Sequence, residues 1–154
     1  MLSHDLFRQI VANAPLISID FISEKDDQIL LGKRINPPAE GFWFVPGGRI
    51  YKNELIRDAI KRLSSVEFGI PFDQNDVAFQ GVYQHLYQDS IFGNSISTHY
   101  IVLAYKLSLN WLNNLEELPK TQHSIYRFFT VNGLLCSETV HTYTKNYFRE
   151  INND

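Results

Sequence analysis

Trp43–Ile70 reads WFVPGGRIYKNELIRDAIKRLSSVEFGI, and its reading decides the fold. A short apolar strand, Phe42–Pro46, runs into a Pro-Gly-Gly turn and leaves on Arg49. A helix is expected from Asn53 to Phe68, with Asn53 as a side-chain N-cap. Leu55, Ile56, Ala59, Ile60, Leu63 and Val66 recur at helical spacing and predict a core-facing stripe. Gly69 suits the left-handed position after a helix, and Pro71 prevents continuation. Glu54, Arg62 and Glu67 are the polar residues this strand–turn–helix unit carries.

On the N-terminal side, Ser3–Asn13 predicts a short helix capped by Ser3, closed by Pro15. Leu16–Ser23 predicts a strand with Ile17, Ile19 and Phe21 on one face and Ser18, Asp20 and Ile22 on the other. Glu24–Gln28 is a charged hairpin turn, Ile29–Lys33 the return strand, and Asn36–Gly41 a Pro-rich loop. On the C-terminal side, Val77–Gln88 and Thr98–Leu109 predict a long hairpin with Asp89–Ser97 as its tip. Trp111–Ser124 reads as a loop, Tyr126–Thr130 as a last strand, Leu134–Leu135 as a helical turn and Thr139–Ile151 as a closing helix. Strands interleaved with helices predict one α/β domain over residues 1–154, a mixed sheet sandwiched between helices.

The 154 residues carry 44% hydrophobic residues, a globular share that excludes disorder. No apolar run approaches the roughly 20 residues a membrane helix needs, so no membrane partner is expected. The N-terminal stretch lacks a basic start followed by a long apolar core, and the single Cys136 fits a reducing cytoplasm. A net charge of −3 makes nucleic acid a poor partner. An anionic substrate therefore needs local positive charge or a metal.

Arg34, before the Pro-rich loop, and Arg49, after the glycines, are candidate anion handles, each offering a planar fork of donors. Arg62 is placed to pair with Glu54. Magnesium takes hard oxygen ligands and few protein groups; Glu67 offers a carboxylate, Gln122 an amide oxygen and the Gly-Gly turn backbone carbonyls. Taken alone, Glu67 is an ordinary carboxylate near a helix end and Gln122 a loop amide. His123 has the ring chemistry of a general base near neutral pH. His85 follows Tyr83 by two positions, faces the same way, and is a weaker candidate for substrate contact.

Counted from Gly48, the stretch spells G-x5-E-x7-R-x4-E-x-G. It resembles the Nudix box, GX5EX7REUXEEXGU with U apolar. The departures are Leu63 for the Glu after Arg, Val66 for one of the paired Glu, and Ser64 at an apolar position. This reduced box, with the Gln122-His123 pair and the stretches PLISIDFI, LLGKR and GVYQH, is similar to the GDP-mannose mannosyl hydrolase branch. The resemblance implies a Nudix-type α/β/α sandwich. It assigns metal contacts to Glu67, Gln122 and the Gly47 carbonyl, with one magnesium per site and manganese as a substitute. It makes His123 the base and Arg62 a residue that orients the helix's acidic groups, and puts Asp20 and Tyr100 against the sugar or the leaving diphosphate. The implied substrate is a nucleotide sugar, and the implied assembly a homodimer. With a single box carboxylate and a base on a remote loop, water is expected to strike the anomeric carbon rather than phosphorus. The alternatives are a conventional pyrophosphohydrolase that breaks a P–O bond and a non-catalytic nucleotide-sugar-binding module.

Overall fold

The fold is organised by the parting of its first two strands. The computed structural model describes residues 1–120 and 123–149. Strand β1 (Leu16–Lys25) and strand β2 (Gln28–Arg34) form a hairpin, but their mutual register covers only Glu24↔Ile29 and Lys25↔Gln28. Beyond that point they diverge. The segment carrying β3 (Trp43–Phe44) and β4 (Gly47–Arg49) fills the gap, with β3 pairing β2 and β4 pairing β1. Phe21 donates its N–H to the Pro46 carbonyl at 2.8 Å, which stitches the crossing point.

On its other edge β1 runs parallel to β6 (Thr98–Ser108), in register from Leu16↔Tyr100 to Glu24↔Ser108. Strand β5 (Val77–Tyr87) pairs antiparallel with β6, and β7 (His123–Thr130) pairs antiparallel with β2. Among the described residues the result is one mixed seven-stranded sheet. Helix α1 (His4–Asn13) starts at Ser3, whose hydroxyl accepts the Leu6 N–H. Helix α2 (Ile56–Phe68) lies on one sheet face. The shorter α3 (Val131–Cys136) and α4 (Thr142–Asn146) lie on the other. This is the expected α/β/α sandwich with a mixed sheet. Ala59, Ile60, Leu63 and Phe68 of α2 pack on Ile19, Phe21, Leu30 and Tyr126. Ile22, Leu31, Phe44, Ala104 and Phe129 form the opposite core with Leu134, Val140 and Tyr147. A third cluster ties Phe7, Ile10 and Val11 to Ile96, Phe92 and Tyr100 at the hairpin tip. No helix among the described residues is long and apolar enough to cross a membrane.

Several expectations need correction. The two glycines form strand β4, not a turn. Helix α2 begins at Ile56 with Leu55 at the N-cap and no side-chain cap, because Asn53 takes a left-handed φ of 65° in the preceding turn. The apolar stripe is only half right: Ala59, Ile60 and Leu63 are buried, whereas Leu55, Ile56 and Val66 are exposed. Their places on the buried face are taken by Ser64 and Glu67. Ser64 earns its position by accepting the Phe72 N–H at 2.8 Å. Ile17 is exposed rather than sharing a buried face with Ile19 and Phe21. His123 begins strand β7 instead of lying on a loop. Among the described residues the closing helix is confined to Thr142–Asn146, its expected end at Ile151 lying outside them. Its start is delayed, since the Thr139 carbonyl and the His141 N–H are taken up by backbone bonds to Trp43 instead.

Candidate active site

A cleft of about 340 Å³ opens where β1 and β2 part. Seven of the residues singled out from the sequence line it: Asp20, Arg34, Gly47, Arg49, Arg62, His85 and Tyr100. They come from β1, β2, β4, α2, β5 and β6, so no local stretch makes the site.

Its floor is β4. A Cβ on Gly47 would collide with the Ile19 carbonyl and lie 2.5 Å from Asp20 Oδ1; one on Gly48 would lie 2.5 Å from Leu63 Cδ2. The glycines are there so that this strand can lie flat against β1 and against α2 at once. Arg49 leaves β4 into the cleft with its guanidinium over Phe7 (4.6 Å) and Tyr51 (5.2 Å). Arg62 lies beside it. Its Nε and Nη2 donate to the two carboxylate oxygens of Glu54 at 2.7 and 2.9 Å, and Nη2 also donates to the Arg49 carbonyl at 2.8 Å. Tyr51 stacks on its guanidinium at 3.8 Å. Glu54 Oε2 in turn accepts the Tyr51 N–H. Arg62 thus braces the β4–α2 connection, and its pairing holds the Glu54 carboxyl below the usual carboxylate range.

Arg34 ends β2, where its Nε donates to the Pro38 carbonyl at 2.8 Å. In register it faces the backbone of His123 across β2 and β7. Gln122 lies outside the described residues. His85 is buried, stacked flat on Tyr143 at 4.4 Å, with Nε2 3.4 Å from the Tyr147 hydroxyl. Burial pushes its pKa down to about 3, and the neighbouring His141 pushes the same way. It is a neutral ring near pH 7. Tyr87 and Tyr100 complete the wall, and burial raises both phenols.

Of two buried acidic groups, Asp20 lines the cleft, whereas Glu67 lies behind its lining, close enough to feel Arg34 and Asp20. Asp20 is buried and its pKa is raised to about 7 by desolvation, against the opposing pull of its hydrogen bond from Tyr147 and of Arg34. Glu67 is wholly buried, so the reading of a solvated carboxylate is excluded. Its pKa is raised to about 8 by burial, with Asp20 adding to the rise and Arg34 opposing it. Glu67 stands one helical turn beyond Leu63, the residue that touches Gly48, so it faces the same β4 floor. Among the described residues no three His, Cys, Asp or Glu side chains gather. A buried carboxylate beside a strand whose carbonyls cannot be shielded by a side chain is an all-oxygen donor set. It suits a hard divalent cation that keeps several waters.

Sequence reasoning missed Tyr147, Tyr87 and Tyr51. Only the aromatic richness of β5 hinted at one of them. The other two depend on contacts that no local pattern announces.

The chain matches the NUDIX domain family over residues 17–149. It is 37% identical over 146 residues to the low-salt glycan biosynthesis protein Agl8 of Haloferax volcanii, covering 93% of this chain and 86% of that one. An ADP-ribose pyrophosphatase of Methanocaldococcus jannaschii is 39% identical over 56 residues, 36% of this chain and 33% of its own length. Among solved structures, a MutT NUDIX hydrolase of Burkholderia pseudomallei superposes with a TM-score of 0.67 at 20% identity, covering 88% of this chain and 96% of that one. A MutT protein of Methanosarcina mazei Go1 gives 0.64 at 17% identity, covering 88% and 92%. With the family match spanning most of the chain and the reduced box lying on β4 and α2 beneath the cleft, this protein belongs to the Nudix hydrolase family.

Proposed function

We propose that this chain hydrolyses a nucleoside-diphosphate sugar, GDP-mannose or GDP-glucose, to the nucleoside diphosphate and free sugar by attack of water at the anomeric carbon. The observation that carries the reading is the mixed lining of the cleft. Arg34 and Arg49, the latter's strand braced by Arg62, supply fixed positive charge. Asp20, neutral His85, Tyr87 and Tyr100 add hydroxyls, rings and a carboxyl to the same cleft, with Arg34 close enough to act on Asp20, Tyr87 and Tyr100. Arginines suit a diphosphate, and the hydroxyl- and ring-rich groups beside them suit an attached polyol. The similarity to a glycan biosynthesis protein supports a sugar nucleotide over a plain nucleotide.

In this reading Arg34 and Arg49 bind the diphosphate oxygens and stabilise the charge that grows on them as the C–O bond breaks. Nudix hydrolases generally use a divalent metal, and magnesium held by Glu67, the Gly47 carbonyl and Gln122 would neutralise that leaving group further. Water enters opposite the diphosphate. Its oxygen bonds to the anomeric carbon, its proton passes to His123, and the electron pair of the broken bond leaves with GDP. The configuration inverts. No carboxylic acid is required to protonate so good a leaving group, unlike the two-carboxylate glycosidases.

The test is hydrolysis in oxygen-18 water, with products read by phosphorus and proton NMR. Label in the sugar and none in GDP is expected. Label in a phosphoryl group, with a sugar phosphate and a nucleoside monophosphate as products, would instead establish the conventional pyrophosphohydrolase reading, which the local likeness to an ADP-ribose pyrophosphatase favours. His123→Gln is expected to slow turnover by roughly 10²–10⁴-fold, the range for losing a general base.

A further inference from the structure

Asp20 divides its two carboxylate oxygens between different tasks, and the division is imposed from the far end of the chain. Oδ2 accepts the hydroxyl hydrogen of Tyr147, a side chain only 6% exposed that lies just past α4. Oδ1 points the other way, to the site where a Cβ on Gly47 would stand 2.5 Å from it. Asp20 and Gly47 are direct cross-strand partners, so this oxygen lies over the β4 floor at the cleft.

Tyr147 is itself held hard. Its ring meets Tyr83 edge-on at 4.7 Å, its carbonyl accepts from Gln80 Nε2 at 3.0 Å, and Gln80 also donates to the Tyr83 hydroxyl at 2.8 Å. The neighbouring helix is pinned in the same way: the Tyr143 hydroxyl donates to the Leu86 carbonyl at 2.6 Å and accepts the Leu86 N–H at 3.0 Å. A two-rotamer ring locked by packing and backbone bonds is a rigid arm. An aspartate without it retains a broad terminal torsion and is free to turn its oxygens toward Arg34 or the cleft water.

We propose that Tyr147 is a positioning residue for Asp20. It ties down Oδ2 so that Oδ1 is presented to the cleft over Gly47, where the sugar or its attacking water is received. The role of Asp20 in this statement rests on the function proposed above; the orientation of its carboxylate does not.

Two measurements separate these. A crystal structure of Tyr147→Phe, which deletes the hydroxyl and keeps the ring, is expected to show the Asp20 carboxylate rotated away from Gly47 with β4 and β5 unmoved. An unchanged carboxylate overturns the proposal whatever the substrate proves to be. Kinetics are then measured on whichever nucleotide sugar the wild-type chain turns over, the bond cleaved in that reaction deciding the function separately. Tyr147→Phe is expected to lower kcat roughly tenfold with KM within about twofold, as for an interaction felt mainly in the transition state. In an Asp20→Asn background the same change is expected to cost nothing more, because residues acting through one another are not additive. A full tenfold loss in the Asp20→Asn background reduces Tyr147 to packing and refutes the assignment.

Discussion

Replacing Glu54 by Gln tests the brace under the cationic side of the cleft. The wild-type carboxylate accepts three hydrogen bonds: Arg62 Nε at 2.7 Å on Oε1, and Arg62 Nη2 and the Tyr51 N–H, both at 2.9 Å, on Oε2. A glutamine amide has one acceptor oxygen. Whichever way it is turned, its NH2 faces at least one donor. The variant therefore loses a charge-assisted bond, worth about 1.5–3 kcal/mol. The side chains of Arg62 and Glu54 are 28% and 13% exposed, so water recovers part of that. A net loss of roughly 1–2 kcal/mol is expected. In a domain of this size that lowers Tm by about 2–8 °C. The acid limb changes as well. Pairing with Arg62 depresses the folded pKa of Glu54 below its unfolded value. Its contribution is therefore complete above the unfolded value and disappears as pH falls through the folded one; Glu54→Gln removes that portion of the acid sensitivity. Because Arg62 Nη2 also holds the Arg49 carbonyl, a rise in KM for the diphosphate substrate is expected to accompany the loss of stability. Urea melts at pH 7 and pH 4 with steady-state kinetics provide the assay. A variant within 0.5 kcal/mol (roughly the ordinary scatter for surface changes) of wild type at both pH values, with unchanged KM, would refute the reasoning.

Gly47→Ala is expected to cost about 1–3 kcal/mol through overpacking and most of the turnover, since the new Cβ must push apart Ile19 and Asp20; a thermal melt and an activity assay check both. His85 stays neutral far below its unfolded pKa of 6.5, so the unfolded chain takes up a proton that the folded chain refuses. Stability contributed by the neutral ring is present above pH 6.5 and falls as pH drops, by up to about 1.4 kcal/mol per unit. His141, lowered for the same reason, steepens the slope. His85→Gln is expected to flatten part of this decline in urea midpoints between pH 6.5 and 5. Magnesium binding to the folded chain alone is expected to raise Tm in proportion to the logarithm of its concentration above Kd. Glu67→Gln is expected to abolish that rise, read by calorimetry with and without chelator; an undiminished rise would move the metal away from α2.

Much of the site was legible because its residues are tied to local backbone demands. Gly47 and Gly48 read as a turn and form a strand that lies against two partners at once, yet either reading needs glycine there, and Arg49 and Arg62 follow at short distances along the strand and the helix. What failed was the reading of one helix by hydrophobic period alone. The apolar stripe of helix α2 was expected to bury Val66, but Val66 is exposed and Glu67, the expected metal ligand, is wholly buried. Periodicity assumes that a buried face is an apolar face. That assumption breaks where a helix faces a functional cleft, because the helix then buries the groups the cleft needs and exposes hydrophobic residues to its rim. Val66, 40% exposed, is such a rim residue and lines the cleft.

The contacts at the base of the cleft fail to show in the sequence for a different reason. Asp20 and Tyr147 are separated by 127 positions, and no spacing rule connects a strand near one end to a turn near the other. Asp20 alone reads as one polar residue on an alternating strand. Its meaning comes from the parting of β1 and β2, which puts a gap beside it, and from the β5–α4 packing, which brings a hydroxyl to one of its oxygens. The parting itself is written in the two-residue register of the hairpin and in the glycines that fill the gap. A residue pattern therefore locates the floor of this site, while its far wall is an outcome of how the C-terminal segment closes on β5. Substitutions at the floor should act through strand geometry and metal affinity. Substitutions on the far wall should act through the direction of Asp20, leaving both unaltered, and that contrast separates the two halves by experiment.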